Sequence, residues 1–101
     1  MYTSTLLKMR DRVRRGRFTI PYHTRRAMYD DGLLAADIVH CILTGEIVER
    51  QVDDVWQEYK YIIEGQSVNE IDGEFYEQIR LQVVAKLGHN DDTVIITVYT
   101  V

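Results

Sequence analysis

The sequence predicts an α+β domain in which two or three N-terminal helices pack on a four-stranded antiparallel sheet. Apolar residues recur at helical spacing over about the first 45 residues, and period-two alternation replaces that spacing afterwards. Connections between the later segments are short, as in an antiparallel meander with its helices on one face. We expect a single domain over residues 1–101, with a basic N-terminal helix at 1–17 and the remaining helices and the meander at 18–101.

The first predicted helix is capped by Thr3 or Ser4 and carries an apolar stripe of Leu6, Met9 and Val13 at spacings of three and four. Its arginines lie on another face. The stripe contains few apolar residues, so the helix could pack on its own domain or dock on a partner.

A second and a third helix follow in the next 30 residues. Pro21 suits the first turn of the second helix, which ends near Asp31 and Gly32. The third helix spans about residues 34–43, has a continuous apolar stripe, and ends at Gly45.

Four strands are predicted after the helices. They span residues 46–52, 56–63, 76–87 and 93–101, and residues 64–75 are interpreted as a mobile acidic loop. The last strand is apolar on both faces, so we expect it to be central in the sheet.

Composition excludes several classes of protein. Cys41 is the only cysteine, which rules out an intrachain disulfide and a multi-cysteine zinc site. The N-terminus has charges where a signal peptide needs an apolar stretch, and no apolar run is long enough for a membrane helix. A cytoplasmic protein without a membrane partner is therefore expected.

Charge is distributed unevenly along the chain. Residues 1–26 contain eight basic side chains and one acidic one, whereas the other 75 residues contain four basic and fifteen acidic ones. This asymmetry indicates either a polyanionic or acidic partner at the basic end, or mutual neutralisation of the two parts within the fold.

No phosphate-binding loop, dinucleotide fingerprint, zinc-protease helix or nucleophile elbow is present. The sequence instead predicts a cluster of polar residues on the helix-free face of the sheet and at its margin: Lys60, Arg80, Gln82, Lys86, Thr97, Tyr99, His23, Arg25 and Arg26. Such a surface can hold an RNA phosphate and transfer protons around the 2′-hydroxyl, chemistry that needs no metal or cofactor. The alternative is that Arg80 and Lys86 form ordinary cross-strand pairs with acidic neighbours.

Three sequence features resemble a family of small bacterial proteins of unknown function. A histidine-headed helix runs from His23 to Gly32, a Gly-Glu-Ile strand begins at Gly45, and the final strand reads Ile-Ile-Thr-Val-Tyr and ends at Tyr99. The resemblance covers roughly residues 18–101. It implies a relative of the RelE-like ribonuclease toxins of type II toxin–antitoxin pairs, with messenger RNA cleaved without a metal and a neutralising antitoxin partner, expected to be of the zinc-finger type.

By that resemblance His23 and Tyr99 are the catalytic residues. The family pattern usually has an arginine where this chain has Ala27, and often a histidine at the position of Gln82. The cation is then expected from neighbouring positions, and the predicted RNA- and phosphate-binding residues are Arg26, Arg80, Lys86 and Lys60.

Two alternatives stay open beside the ribonuclease. One is a non-catalytic RNA- or protein-binding module with the same fold. The other is a homo-oligomer subunit that uses the Leu6–Met9–Val13 stripe as its contact.

Overall fold

The computed structural model describes all residues except Met1, Asp54 and Trp56. For Asp53 it describes the backbone only. Three helices and seven strands follow one another along the chain. Their bounds are α1 Thr3–Arg14, β1 Phe18–Thr19, α2 Tyr22–Asp30, α3 Ala35–Thr44, β2 Glu46–Asp53, β3 Glu58–Gln66, β4 Glu70–Ile71, β5 Glu74–Phe75, β6 Arg80–Leu87 and β7 Thr93–Thr100.

Helix α1 uses its apolar stripe to pack on its own domain. Met9 is fully buried and Val13 nearly so, and both belong to the hydrophobic core. The predicted cap by Thr3 or Ser4 is wrong, because the N-cap is Tyr2 in the left-handed region and no side chain caps the helix. The helix is held instead by its buried face.

Helix α2 ends at the predicted stop, but it begins at Tyr22, so Pro21 lies just before its first turn rather than within it. Pro21 is its N-cap, a position that needs no backbone N–H in the helix ladder. At the other end Gly32 adopts a φ of +74°, which lets the Leu33 N–H donate to the Met28 carbonyl at 2.8 Å.

The large sheet has five strands in the order β1-β7-β6-β3-β2, and it is mixed. This corrects the predicted four-stranded antiparallel sheet. Strand β1 contains only Phe18 and Thr19, too few residues to show alternation, and it pairs in parallel with Thr93 and Val94. The last strand lies inside the sheet, between β1 and β6, as its two apolar faces predict, although β6 is the middle strand of the five.

Strands β3 and β6 differ most from their predicted bounds. Strand β3 begins at Glu58 and continues to Gln66, so part of the predicted acidic loop is strand, while the expected start at residue 56 lies outside the described residues. The rest of that loop contains the hairpin β4–β5, whose turn residues Asp72 and Gly73 both have positive φ. Asp-Gly favours such a turn. Strand β6 begins at Arg80, four residues later than predicted.

The hydrophobic core lies between the three helices and one face of the large sheet. The strands contribute alternate residues to it, and the helices contribute their apolar stripes; its fully buried members include Met9, Ile38, Cys41, Ile42, Ile63, Leu81, Val83, Ala85 and Ile95. All three helices therefore cover the same face, and the opposite face carries none. Among the described residues no helix is both long and apolar enough to cross a membrane.

Candidate functional site

The candidate site is the helix-free face of the large sheet together with the adjoining edge of α2. Along β6, Leu81, Val83 and Ala85 are fully buried in the core. The residues that alternate with them, including Gln82 and Lys86, therefore lie on the opposite face, because side chains alternate along a strand.

Strand register brings several predicted site residues into one row. Gln82 on β6 lies opposite Glu64 on β3 and opposite Tyr99 on β7. The Tyr99 side chain is exposed. A phenol, an amide and a carboxylate therefore lie side by side across three strands.

Arg80 lies at the start of β6 and forms an ion pair with Glu64. Its Nη2 donates to Oε1 of the Glu64 carboxylate, while Gln82 Nε2 donates to Oε2 at 3.3 Å. One carboxylate thus accepts hydrogen bonds from both donors.

Lys86 lies at the other end of β6 and is also paired with a carboxylate. Its Nζ donates to Glu58 Oε2 at 2.9 Å, and His89 Nε2 lies 2.8 Å from Glu58 Oε1. The hydrogen bond from Lys86, followed by that to His89, lowers the pKa of Glu58. Arg80 and Lys86 therefore form the cross-strand pairs that the alternative interpretation of this face expects.

Helix α2 is anchored to the outer edge of β7. Thr24 Oγ1 donates to the Ile96 carbonyl at 2.8 Å, which places the first turn of α2 beside that strand. His23, next to Thr24, is exposed, and Tyr99 lies three residues beyond Ile96, roughly 10 Å along the strand. His23 and Tyr99 therefore lie along one edge of the sheet without a hydrogen bond between them.

Two of the side chains predicted to bind phosphate, Arg26 and Lys60, have no internal partner among the described residues. In the part of the chain that the structure describes, Arg26 and Lys60 make no ion pair and no side-chain hydrogen bond. Arg26 and Ala27 are both exposed on α2, at adjacent positions that point about 100° apart. Arg26 is therefore a free cation near His23, but it does not replace an arginine at position 27 directly.

Most arginines of the N-terminal segment are bound within the fold. Arg10 donates to the carbonyls of Ile42 and Gly45 at 3.0 and 2.7 Å and so satisfies the C-terminal end of α3. Three further arginines contact Asp91 in the β6–β7 turn; they are Arg12, Arg15 and Arg17. For this segment the structure supports the expectation of internal neutralisation.

Burial of Met9 and Val13 rules out the predicted oligomer contact through the first helix. Those two side chains face the core of their own domain, so the Leu6–Met9–Val13 stripe is not available to a second copy. Homo-oligomerisation itself stays a prediction.

Cys41 is fully buried and is a core residue. Burial, with a smaller contribution from Glu64, raises the pKa of its thiol to about 12. Such a thiol is not a nucleophile at neutral pH. Among the described residues no group of three or more His, Cys, Asp and Glu side chains is arranged to hold a metal ion.

Glu58 and Glu64 belong to this candidate surface, although the sequence analysis did not include them in it. Alternation along β3 places both on the same face as Lys60, and that signal was available. Their contacts with Lys86 and Arg80 follow only from the register of β3 against β6.

The fold and this surface define a class: an α+β domain with three helices on one face of a mixed five-stranded sheet and an open polar face opposite. Within that class, the family described as Domain of unknown function (DUF4258) matches residues 20–100, and the chain belongs to that family. Helix α1 lies outside the matched region although it completes the core. No curated protein and no solved structure matches the chain.

Proposed function

We propose that the chain is a metal-independent endoribonuclease of the RelE-like toxin type, with its active site where α2 meets the helix-free face of the sheet. The observation that carries the proposal is that His23, Tyr99 and Arg26 are exposed near one sheet edge, and none has a hydrogen-bonding partner in the described structure. An acid, a base and a cation are the groups that cleavage by the RNA's own 2′-hydroxyl requires.

In this mechanism His23 accepts the proton of the 2′-hydroxyl as its oxygen attacks the adjacent phosphorus. Tyr99 donates a proton to the departing 5′-oxygen, which leaves a 2′,3′-cyclic phosphate. Arg26 stabilises the negative charge of the phosphorane. Lys60, two strands away from β7 on β3, contacts a neighbouring phosphate of the bound RNA. No side chain caps the N-terminus of α2, so the N–H groups of its first turn also favour a phosphate there.

RNA cleavage in the presence of EDTA tests this proposal. We expect wild-type protein to cleave a labelled single-stranded RNA to a cyclic-phosphate product, and His23→Ala and Tyr99→Phe to be slower by about 10²- to 10⁴-fold. His89→Ala is the matched control, because His89 is also exposed but is paired with Glu58 far from Tyr99. An RNA with 2′-deoxyribose at the cleaved position must be inert.

Cleavage at the wild-type rate by folded His23→Ala and Tyr99→Phe variants would reject the site. The proposal also includes a neutralising antitoxin, expected to be a zinc-finger protein. Induced expression should arrest bacterial growth, and coexpression of that antitoxin should restore it.

A non-catalytic RNA-binding module is the second candidate. It is favoured by the two carboxylates that hold Arg80 and Lys86, and by the separation between His23 and Tyr99. This candidate predicts salt-dependent RNA binding with no product formed. Binding without cleavage by wild-type protein would therefore select it over the ribonuclease.

A further inference from the structure

Glu64 occupies a position in which an anionic ligand would meet two donors. One of its carboxylate oxygens accepts from the Arg80 guanidinium and the other from the Gln82 amide. Planar guanidinium groups bind carboxylates and phosphates in the same way, through paired N–H donors. The donor pair is therefore also suited to a phosphodiester.

The surroundings of Glu64 leave the Arg80 donor accessible. Arg80 and Glu64 line an open groove of about 630 Å³ at the end of the sheet, and the Arg80 side chain is 62% exposed. Tyr99 lies on the other side of Gln82, so a ligand at these donors adjoins the proposed catalytic phenol.

Glu64 also has an unfavourable neighbour in the sheet. It lies directly opposite Glu46 on β2, and like charges at opposed positions are destabilising. Arg80 offsets that repulsion in the free protein. Because an exposed ion pair is weak, an incoming anion can separate the two side chains.

We propose that Arg80 and Gln82 form a phosphodiester subsite and that Glu64 is its internal competitor, so that RNA engages the subsite by displacing the Glu64 carboxylate. This inference rests on the proposed RNA-binding function. It assigns Glu64 a negative effect on affinity and makes Arg80 a ligand only when the carboxylate has moved.

The expected change in RNA affinity follows from removal of the negative charge of Glu64 beside Arg80. Two unit charges about 4 Å apart in water interact by an energy equivalent to roughly a fivefold change in affinity. Release of Arg80 also adds one phosphate contact, which makes the slope of log K against log salt steeper by roughly 0.7 for a single strand.

The test is fluorescence anisotropy with a labelled, uncleavable 2′-O-methyl oligoribonucleotide over a salt series. The variants are Glu64→Gln, Glu46→Gln and the double variant E64Q/R80Q, each checked for folding by its melting temperature. Glu46→Gln is the matched control, because it removes the same charge from the opposed position and leaves the Arg80–Glu64 pair intact.

We expect Glu64→Gln to bind roughly fivefold more tightly than Glu46→Gln, with the steeper salt slope, and the double variant to lose the gain. Equal effects of the two single variants would overturn the proposal, as would a gain that persists in E64Q/R80Q. Either result leaves RNA binding by wild-type protein intact. The expected pattern without cleavage of natural RNA would reject catalysis but keep the subsite. If no variant binds at low salt, both proposals fail.

Discussion

Asp37 is expected to be the most important single carboxylate for the stability of this fold. It is 8% exposed and lies in the first turn of α3, where Oδ2 accepts from the Leu34 N–H at 2.8 Å. Its Oδ1 accepts from the Val68 N–H at 3.0 Å, beyond the end of β3. One side chain therefore caps the helix and fastens the segment that leads into the β4–β5 hairpin.

The expected loss follows from these two bonds. A hydrogen bond to a charged group contributes about 1.5–3 kcal/mol, and a carboxylate near a helix N-terminus adds about 0.3–1 kcal/mol. Asp37→Asn keeps one acceptor oxygen but faces the second N–H with an amide donor, so we expect a loss of about 2–3 kcal/mol. Asp37→Ala removes both acceptors and should cost about 3–4 kcal/mol.

Urea unfolding followed by circular dichroism measures these losses. Asp31→Asn is the matched control, because Asp31 is an exposed aspartate without an ion pair in the described structure, and it should stay within about 0.5 kcal/mol of wild type. If Asp37→Asn is as stable as that control, the two hydrogen bonds do not contribute as argued.

Three further perturbations test other parts of the fold. A Cβ at Gly45 would overlap the Glu64 carbonyl oxygen, so Gly45→Ala should lose more than about 2 kcal/mol in urea unfolding, and a neutral result would contradict this close approach. The buried Thr93 hydroxyl has no partner within the described atoms, so Thr93→Val should gain about 1 kcal/mol, and a loss would indicate a bond to the hydroxyl. The hydrogen bond from Arg15 is the main cause that lowers the pKa of Asp91. Because the pKa of Asp91 is lower in the folded than in the unfolded protein, its charge stabilises the fold above about pH 4. That stabilisation disappears as the pH falls through the pKa of Asp91 in the folded protein. Asp91→Asn should therefore lower the melting temperature more at pH 7 than at pH 2, and an equal effect at both pH values would rule out the Asp91 charge as the cause.

Hydrophobic periodicity was sufficient to predict the helices and the four long strands. Helix α2 ends at Asp30, next to the predicted stop, because the residues after it provide a turn and a glycine with positive φ. Strand β1 could not be predicted, since two residues carry no period and its pairing with β7 is a tertiary contact. The hydrogen bond from Thr24 to the Ile96 carbonyl is likewise a tertiary contact between α2 and β7 that local sequence does not show.

The candidate site was less predictable than the fold. Which residues share a face follows from alternation, but which residues bond depends on register. Glu64 contacts Arg80 and Gln82 because β3 and β6 pair with Glu64 opposite Gln82, and a shift by one residue would move Glu64 to the other face. Local sequence does not determine that alignment.

The contacts of the basic side chains show how many of them are free to bind RNA. The chain has twelve lysines and arginines. Six of them donate to no carboxylate or carbonyl oxygen within the described structure: Lys8, Arg14, Arg25, Arg26, Arg50 and Lys60. Arg50 stacks on two tyrosine rings. If all six contacted phosphates, single-stranded RNA binding would have a salt slope of about −4. They are spread over α1, α2, β2 and β3, so a slope nearer −2 is expected. A much steeper slope would mean that RNA separates the arginines of the N-terminal segment from Asp91.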